Sequence, residues 1–150
     1  MSLRECHRCQ AITKYNHQCR RRTCRTMLCF QHLRILEGLQ LKKSYIPQAE
    51  LGLFATKNYN INENVARYTG DISVERIEGP YVFQVNQNKF IDAKKTSTSA
   101  GRYANDCRVV NRNQGHCRGN NAKLSYDYHN ERANLKAIRP IRVGDEIYVQ

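Results

Sequence analysis

Five cysteines and a histidine with ligand spacing fall within the first 32 positions: Cys6, Cys9, Cys19, Cys24, Cys29 and His32. Two residues separate Cys29 from His32, a spacing that lets one turn point both side chains at a single ion. Cys9 and Cys19 complete a tetrahedral Cys3His set for zinc. Cys6 and Cys24 remain as further thiols, and Cys6-x2-Cys9 with Cys29-x2-His32 is the rival set. There is a physical need for the metal. The segment offers few sizeable apolar side chains, among them Leu3, Ile12, Met27, Leu28, Phe30 and Leu33, too few for a core that folds unaided. It also carries seven basic residues, including Arg20–Arg22. That cluster either contacts nucleic-acid phosphate or only solvates a small knuckle.

A second concentration of chemistry lies at residues 101–124. Gly101, Asn105, Asp106, Gly115, Gly119, Asn120 and Asn121 favour turns, yet Tyr103 and the pair Val109-Val110 sit among them. A solvated linker has no use for such side chains. Cys107, His116 and Cys117 form a weaker candidate set for a second metal.

The elements that must position these residues are short. Leu33, Leu36 and Leu39–Leu41 share roughly one face of a helix expected over His32–Leu41, with Gly38 marking its end. Leu39 to Ser44 alternates as a half-buried strand should, and Pro47 stops it. Further strands are expected at Leu51–Ala55, Val65–Tyr68, Tyr81–Asn86 and Asn88–Ala93. A hairpin is expected from Lys123–His129 and Ala133–Ala137, and residues 72–79 read as loop. No long amphipathic helix is expected, so the fold class is mostly β.

The chain has 150 residues, enough for one domain with a small appendage. Its net charge of +12 argues for an anionic neighbour, and residues 1–50 hold ten Lys or Arg against three acids. No run of 18 apolar residues exists, so no membrane span is expected. The start, Met-Ser-Leu-Arg-Glu-Cys-His, lacks an apolar secretory core, and seven cysteines is an odd number. Metal binding in an intracellular protein is therefore the better account than a disulfide framework.

The spacing Cys9-x9-Cys19-x9-Cys29-x2-His32, with Ala11-Ile12-Thr13-Lys14, resembles a small module of large DNA viruses and some eukaryotic proteins. Five motifs farther along resemble, in family order, the SET domain of protein lysine methyltransferases. They are Gly52-Leu53-Phe54-Ala55 followed by Tyr68-x-Gly70-Asp71; Tyr81-Val-Phe-Gln-Val-Asn; Ile91-Asp92-Ala93; Arg102-Tyr-Ala-Asn-Asp-Cys107 with Asn120-Asn121-Ala122; and Gly144-Asp145-Glu146-Ile147. The resemblance covers residues 42–150. It implies several small β-sheets with a pseudoknot, preceded by a zinc knuckle over residues 1–33.

The resemblance also implies S-adenosylmethionine as cofactor beside zinc, and a lysine-bearing protein substrate such as a histone, with nuclear placement. It assigns Leu51, Gly52, Tyr81, Arg102, Tyr103, Asn105 and Asp106 to cofactor binding. Asn121 fastens the thread, and Tyr81 takes the catalytic role of wall or acceptor. Glycine at position 52 would let the backbone approach the cofactor. The chain departs from the family pattern at Glu50, where glycine is usual, and at Asp106, where histidine is usual. It departs again at Asn120, where proline is usual, and at Arg108–Gly119, inserted between halves normally adjacent. The family's catalytic tyrosine would fall one residue beyond Gln150, and no Cys-rich tail is expected. The alternative is a catalytically inactive SET-derived module whose knuckle contacts nucleic acid or a protein partner.

Overall fold

The computed structural model describes residues 5–47, 49–96, 98–107 and 119–149. Most of the insertion Arg108–Gly119, with Arg108, Arg112, His116, Cys117 and Arg118, lies outside the described residues. Among the described residues, eleven short strands form four small antiparallel sheets, and helix is confined to single turns. None of these helices is long and apolar enough to cross a membrane.

The knuckle opens with β1 (His7–Arg8) paired to β2 (Arg22–Thr23). Its interior is Cys9, Ala11, Cys19 and Cys29, with Leu28 against them. Three thiols and a methyl group supply little apolar burial, so this segment depends on cross-links. One is a disulfide between Cys6 and Cys24. This corrects the expectation of metal binding in place of disulfides, and it removes Cys6 from the rival ligand set. Cys107 is also disulfide-bonded and so is not a thiol for a second metal site.

The helix expected over His32–Leu41 is shorter and divided. An α-helical turn, α1 (Phe30–His32), continues as a π-helical turn over Leu33–Glu37. Gly38 stops it at φ 68°, a backbone conformation open to glycine. Buried Tyr59 fixes this end by donating to Glu37 O and Gly38 O at 2.8 and 3.0 Å.

The central sheet has the order β11-β4-β3, with β3 at Leu39–Lys43, β4 at Leu51–Ala55 and β11 at Glu146–Ile147. β4 lies between the other two, and four of its five residues are buried. Its unbroken apolar sequence Leu-Gly-Leu-Phe-Ala suits that place. A second sheet, β5-β10-β9, joins Asn64–Arg67, Arg132–Ala137 and Ala122–Asp127, with the expected hairpin turning around Asn130. The third, β6-β8-β7, joins Asp71–Ser73, Lys89–Asp92 and Val82–Asn86. β6 falls where a loop was expected. It has three residues, none buried, so it carries no hydrophobic period to read.

The main core collects Leu39, Leu53, Tyr59, Leu135, Ile141 and Ile147. Leu33, which follows the knuckle's last ligand candidate, belongs to it too, so knuckle and β region share packing. Hydrogen bonds strengthen the join. Glu5 N donates to Thr96 Oγ1 at 2.7 Å, Met27 N to Thr98 O at 3.2 Å, and Tyr103 Oη to Arg25 O at 2.6 Å.

Candidate active site and metal centre

A 3₁₀ turn at Ala100–Tyr103 brings the stretch 101–106 against the start of β4. Gly101 lets the same turn also lie against the end of β5, because a Cβ there would overlap the carbonyl of Arg67. Asn105 Nδ2 then donates to Leu51 O at 3.0 Å and to Glu146 Oε2 at 3.3 Å. Asn105 O accepts from Val149 N at 2.9 Å, while Asn121 N and Ala122 N both donate to Tyr148 O at 3.1 Å. The segment Tyr148–Val149 thus runs between Asn105 and Ala122, bridging each in parallel. Asn121 adds side-chain bonds, donating to Glu146 O at 2.9 Å and accepting from Tyr148 N at 2.8 Å. Two stretches separated by the insertion are thereby joined through the C-terminal segment.

Between these segments opens a cleft of about 590 Å³, within the range of about 300–1,000 Å³ usual for small-molecule sites. Leu51, Tyr81, Arg102, Tyr103, Asn105 and Asp106 all line it. Of the residues assigned to the cofactor from sequence, Gly52 alone stays outside the lining. A Cβ on Gly52 would run into the carboxylate of Glu146, 2.9 Å from its Cδ, so the missing side chain makes room for Glu146.

Arg102 is buried and clamped. Its Nε donates to Ala93 O at 2.7 Å and one terminal nitrogen to Lys94 O at 3.2 Å. Its guanidinium carbon lies 4.2 Å from the ring centre of Tyr81 and 4.7 Å from that of Tyr103, holding both rings by cation–π contact. Tyr68 Oη donates to Tyr81 O. Burial, with the nearby Asp92 charge, pushes the Tyr68 phenol well up, so it remains a donor. Burial likewise raises the Tyr103 phenol. Glu50, where glycine was the pattern, and Asp106, where histidine was, both line the cleft. Asp106 also accepts from Asn120 Nδ2 at 3.2 Å.

Glu146 was missed as an organising residue. It is 3% exposed and accepts from Ser44 Oγ at 2.6 Å, Tyr45 N at 2.8 Å and Tyr148 Oη at 3.0 Å, besides Asn105. Four donors compensate the buried carboxylate. Burial, then the Glu146 charge and bond, raises the Tyr148 phenol well above its ordinary value. The position of Glu146 in Gly144-Asp-Glu-Ile147 was visible, but nothing local distinguishes it from exposed Asp145.

In the knuckle, one ligand atom each from Cys9, Cys19, Cys29 and His32 lies within 4.8 Å of the others. Cys29 Sγ is 3.3 Å and Cys9 Sγ 3.5 Å from His32 Nδ1. Tetrahedral zinc with ordinary Zn–S and Zn–N lengths requires an S···N separation of about 3.6 Å, so these residues fit the ion. Burial alone would raise the Cys29 thiol. Hydrogen bonds from His32, Cys9 and Gln31 outweigh it and bring the thiol down to about 7, whereas burial pushes Cys9 up.

The SET domain family profile matches residues 50–150. No curated protein sequence matches the chain significantly. Among solved structures, the Polycomb Repressive Complex 2 of Chaetomium thermophilum in an autoinhibited state aligns with TM-score 0.58 and 22% identity, covering 76% of this chain and 15% of that one. A humanized mutant of the same complex bound to an inhibitor aligns with TM-score 0.56 and 21% identity, at 76% and 15% coverage. The methyltransferase domain of human PR domain-containing protein 2 aligns with TM-score 0.55 and 22% identity, covering 76% of each chain. The chain therefore spans only a small part of the Polycomb chains that it matches.

Proposed function

Because the chain belongs to the SET domain family, we propose that it binds S-adenosylmethionine in the cleft and serves protein lysine N-methylation. One observation carries this reading. Residues from three distant stretches, at 51, 81 and 102–106, line a single cleft of suitable volume. The cofactor would supply an electrophilic methyl group to a lysine amine. The chain's own part is alignment and desolvation. Arg102 fixes the rings of Tyr81 and Tyr103. Asn105 ties the thread to the carbonyl of Leu51, so that the backbone at 49–51 and 104–106 presents a fixed edge. Tyr81 forms an aromatic wall and offers a phenol oxygen to the incoming amine. A closed cleft lowers the pKa of that amine and favours its neutral, reactive form.

The substrate is a lysine-bearing protein, and a histone is the leading candidate. One of the similar Polycomb structures was solved with histone H3 ligands. Glu50 and Asp106 put two acids at the cleft that a basic peptide could meet, and a chromatin substrate would imply a nuclear protein. Zinc in the site formed by Cys9, Cys19, Cys29 and His32 would cross-link the knuckle, a unit we place at residues 1–33 before a SET-like unit at 42–150.

The test combines calorimetry with S-adenosylmethionine and mass spectrometry of core histones incubated with protein and cofactor. Saturable one-to-one binding and a mass gain of one methyl group or more are expected. Absence of cofactor binding would sink the reading. Binding without methylation of histones or of any lysine-bearing protein offered would favour the inactive binding module, which Glu50 at the usual glycine position supports.

A further inference from the structure

One wall of the cleft comes from outside the matched residues 50–150. Arg25, in the knuckle, lines it together with Thr96, Arg102 and Tyr103. Its backbone is pinned there. Tyr103 Oη holds Arg25 O at 2.6 Å, Met27 N bonds Thr98 O two residues later, and Arg25 N donates to Thr23 Oγ1 at 3.5 Å. All of these bonds use the main chain, and among the described residues the Arg25 guanidinium has no hydrogen bond or ion pair, its charge lying near the Tyr103 phenol. Arg102, by contrast, spends donors on Ala93 O and Lys94 O and lies buried between two rings.

The cleft lining carries charges of both signs, the acids Glu50 and Asp106 and the arginines Arg25 and Arg102. The bond from Asn105 to Leu51 O brings together the acids Glu50 and Asp106, each adjacent in sequence to one partner of that bond. Tyr103 brings together the two arginines, through its hydroxyl to Arg25 and its ring to Arg102. A ligand carrying an ammonium and a carboxylate on one carbon matches such a dipole, with its anion toward the arginines. Resting on the cofactor reading above, we infer that the knuckle completes the cofactor site, with Arg25 holding the carboxylate of the cofactor's amino-acid end. Cofactor affinity then depends on the knuckle being docked and intact.

Calorimetry with two ligands tests this. S-adenosylhomocysteine has the amino-acid end, and 5′-methylthioadenosine lacks it. Both are titrated into the wild-type chain, Arg25→Ala and Arg25→Lys, with zinc content measured in parallel. The alanine variant keeps the main-chain carbonyl that Tyr103 uses. Arg25→Ala is expected to weaken S-adenosylhomocysteine about tenfold, the scale of one charge-assisted contact, and to leave 5′-methylthioadenosine unchanged. Arg25→Lys is expected to recover part of the loss. Equal affinity for S-adenosylhomocysteine in wild type and Arg25→Ala overturns the inference, and so does equal weakening of both ligands, which marks a general structural effect. A wild-type chain that binds neither ligand overturns the cofactor reading itself.

Discussion

Replacing Gly52 by alanine separates two reasons for a glycine in β4. Family resemblance assigns Gly52 to close approach by the cofactor, while the structure puts the Glu146 carboxylate where a side chain would go. The added methyl would sit 2.9 Å from Glu146 Cδ and nearer still to Oε2, so something must move. The carboxylate is poorly placed to yield. It is buried and holds Ser44 at 2.6 Å, Tyr45 N at 2.8 Å, Tyr148 at 3.0 Å and Asn105 at 3.3 Å. Each bond to a charged acceptor contributes about 1.5–3 kcal/mol. Losing or lengthening one or two of them sets the expected cost of Gly52→Ala at about 3 kcal/mol. Urea denaturation measures it, and a double-mutant cycle with Glu146→Ala isolates the cause. In the Glu146→Ala background, Gly52→Ala should cost less than about 0.5 kcal/mol, because the obstructing carboxylate is gone. If Gly52→Ala keeps wild-type stability and weakens only cofactor binding, the steric argument is wrong. If the cost is the same in both backgrounds, Glu146 is not the neighbour that matters.

Four further outcomes are expected. The purified chain should carry one zinc ion by elemental analysis, and Cys29→Ser should abolish it and lower the melting temperature. Replacing Cys6 and Cys24 together by serine should leave zinc content unchanged, since the structure spends both thiols on each other; loss of the metal would return Cys6 to the ligand set. Tyr103→Phe strands the carbonyl of Arg25 and should cost about 1 kcal/mol, read by urea denaturation, with faster amide exchange over residues 25–28. If the exposed cluster Arg20–Arg22 contacts phosphate, neutralising all three should flatten the salt dependence of DNA binding by about three in log–log slope; an unchanged slope leaves the cluster a solvated surface.

Much of the β region was legible because its strands carry their own period or composition. β4 reads as an apolar run, β3 alternates, and the β9–β10 hairpin is signalled by polar residues at its turn. Where the period is absent the reading failed, as at β6, none of whose three residues is buried. The division of the first helix was also hidden. A π-helical turn and a left-handed Gly38 satisfy the same leucine spacing as a longer α-helix, and Tyr59, which fixes the boundary, arrives from 21 residues away. The disulfides escaped for a different reason. An odd cysteine count and the absent secretory core argued from compartment, and spacing alone cannot say which of five neighbouring thiols share an ion and which share a bond.

The site shows the same limit at a longer range. Arg102, Tyr103, Asn105 and Asp106 are near one another in sequence, so a motif can carry them. Arg25 reaches the cleft, and Glu146 the buried support behind Asn105, through contacts that no local pattern records. Glu146 connects β11 to the turn after β3 and to Asn105, while the main chain of Arg25 is held by Tyr103 across 78 residues. These two contacts give the stretch 101–106 its position. One end is tied to a buried carboxylate in the central sheet, the other to the backbone of a knuckle that has almost no apolar core of its own. With zinc bound at the four ligand candidates, metal and disulfide together would hold the knuckle rigid despite its size, and rigidity is what a wall of a binding cleft requires. The cysteines and the cleft are therefore parts of one device, and loosening the first should be felt as weaker binding in the second.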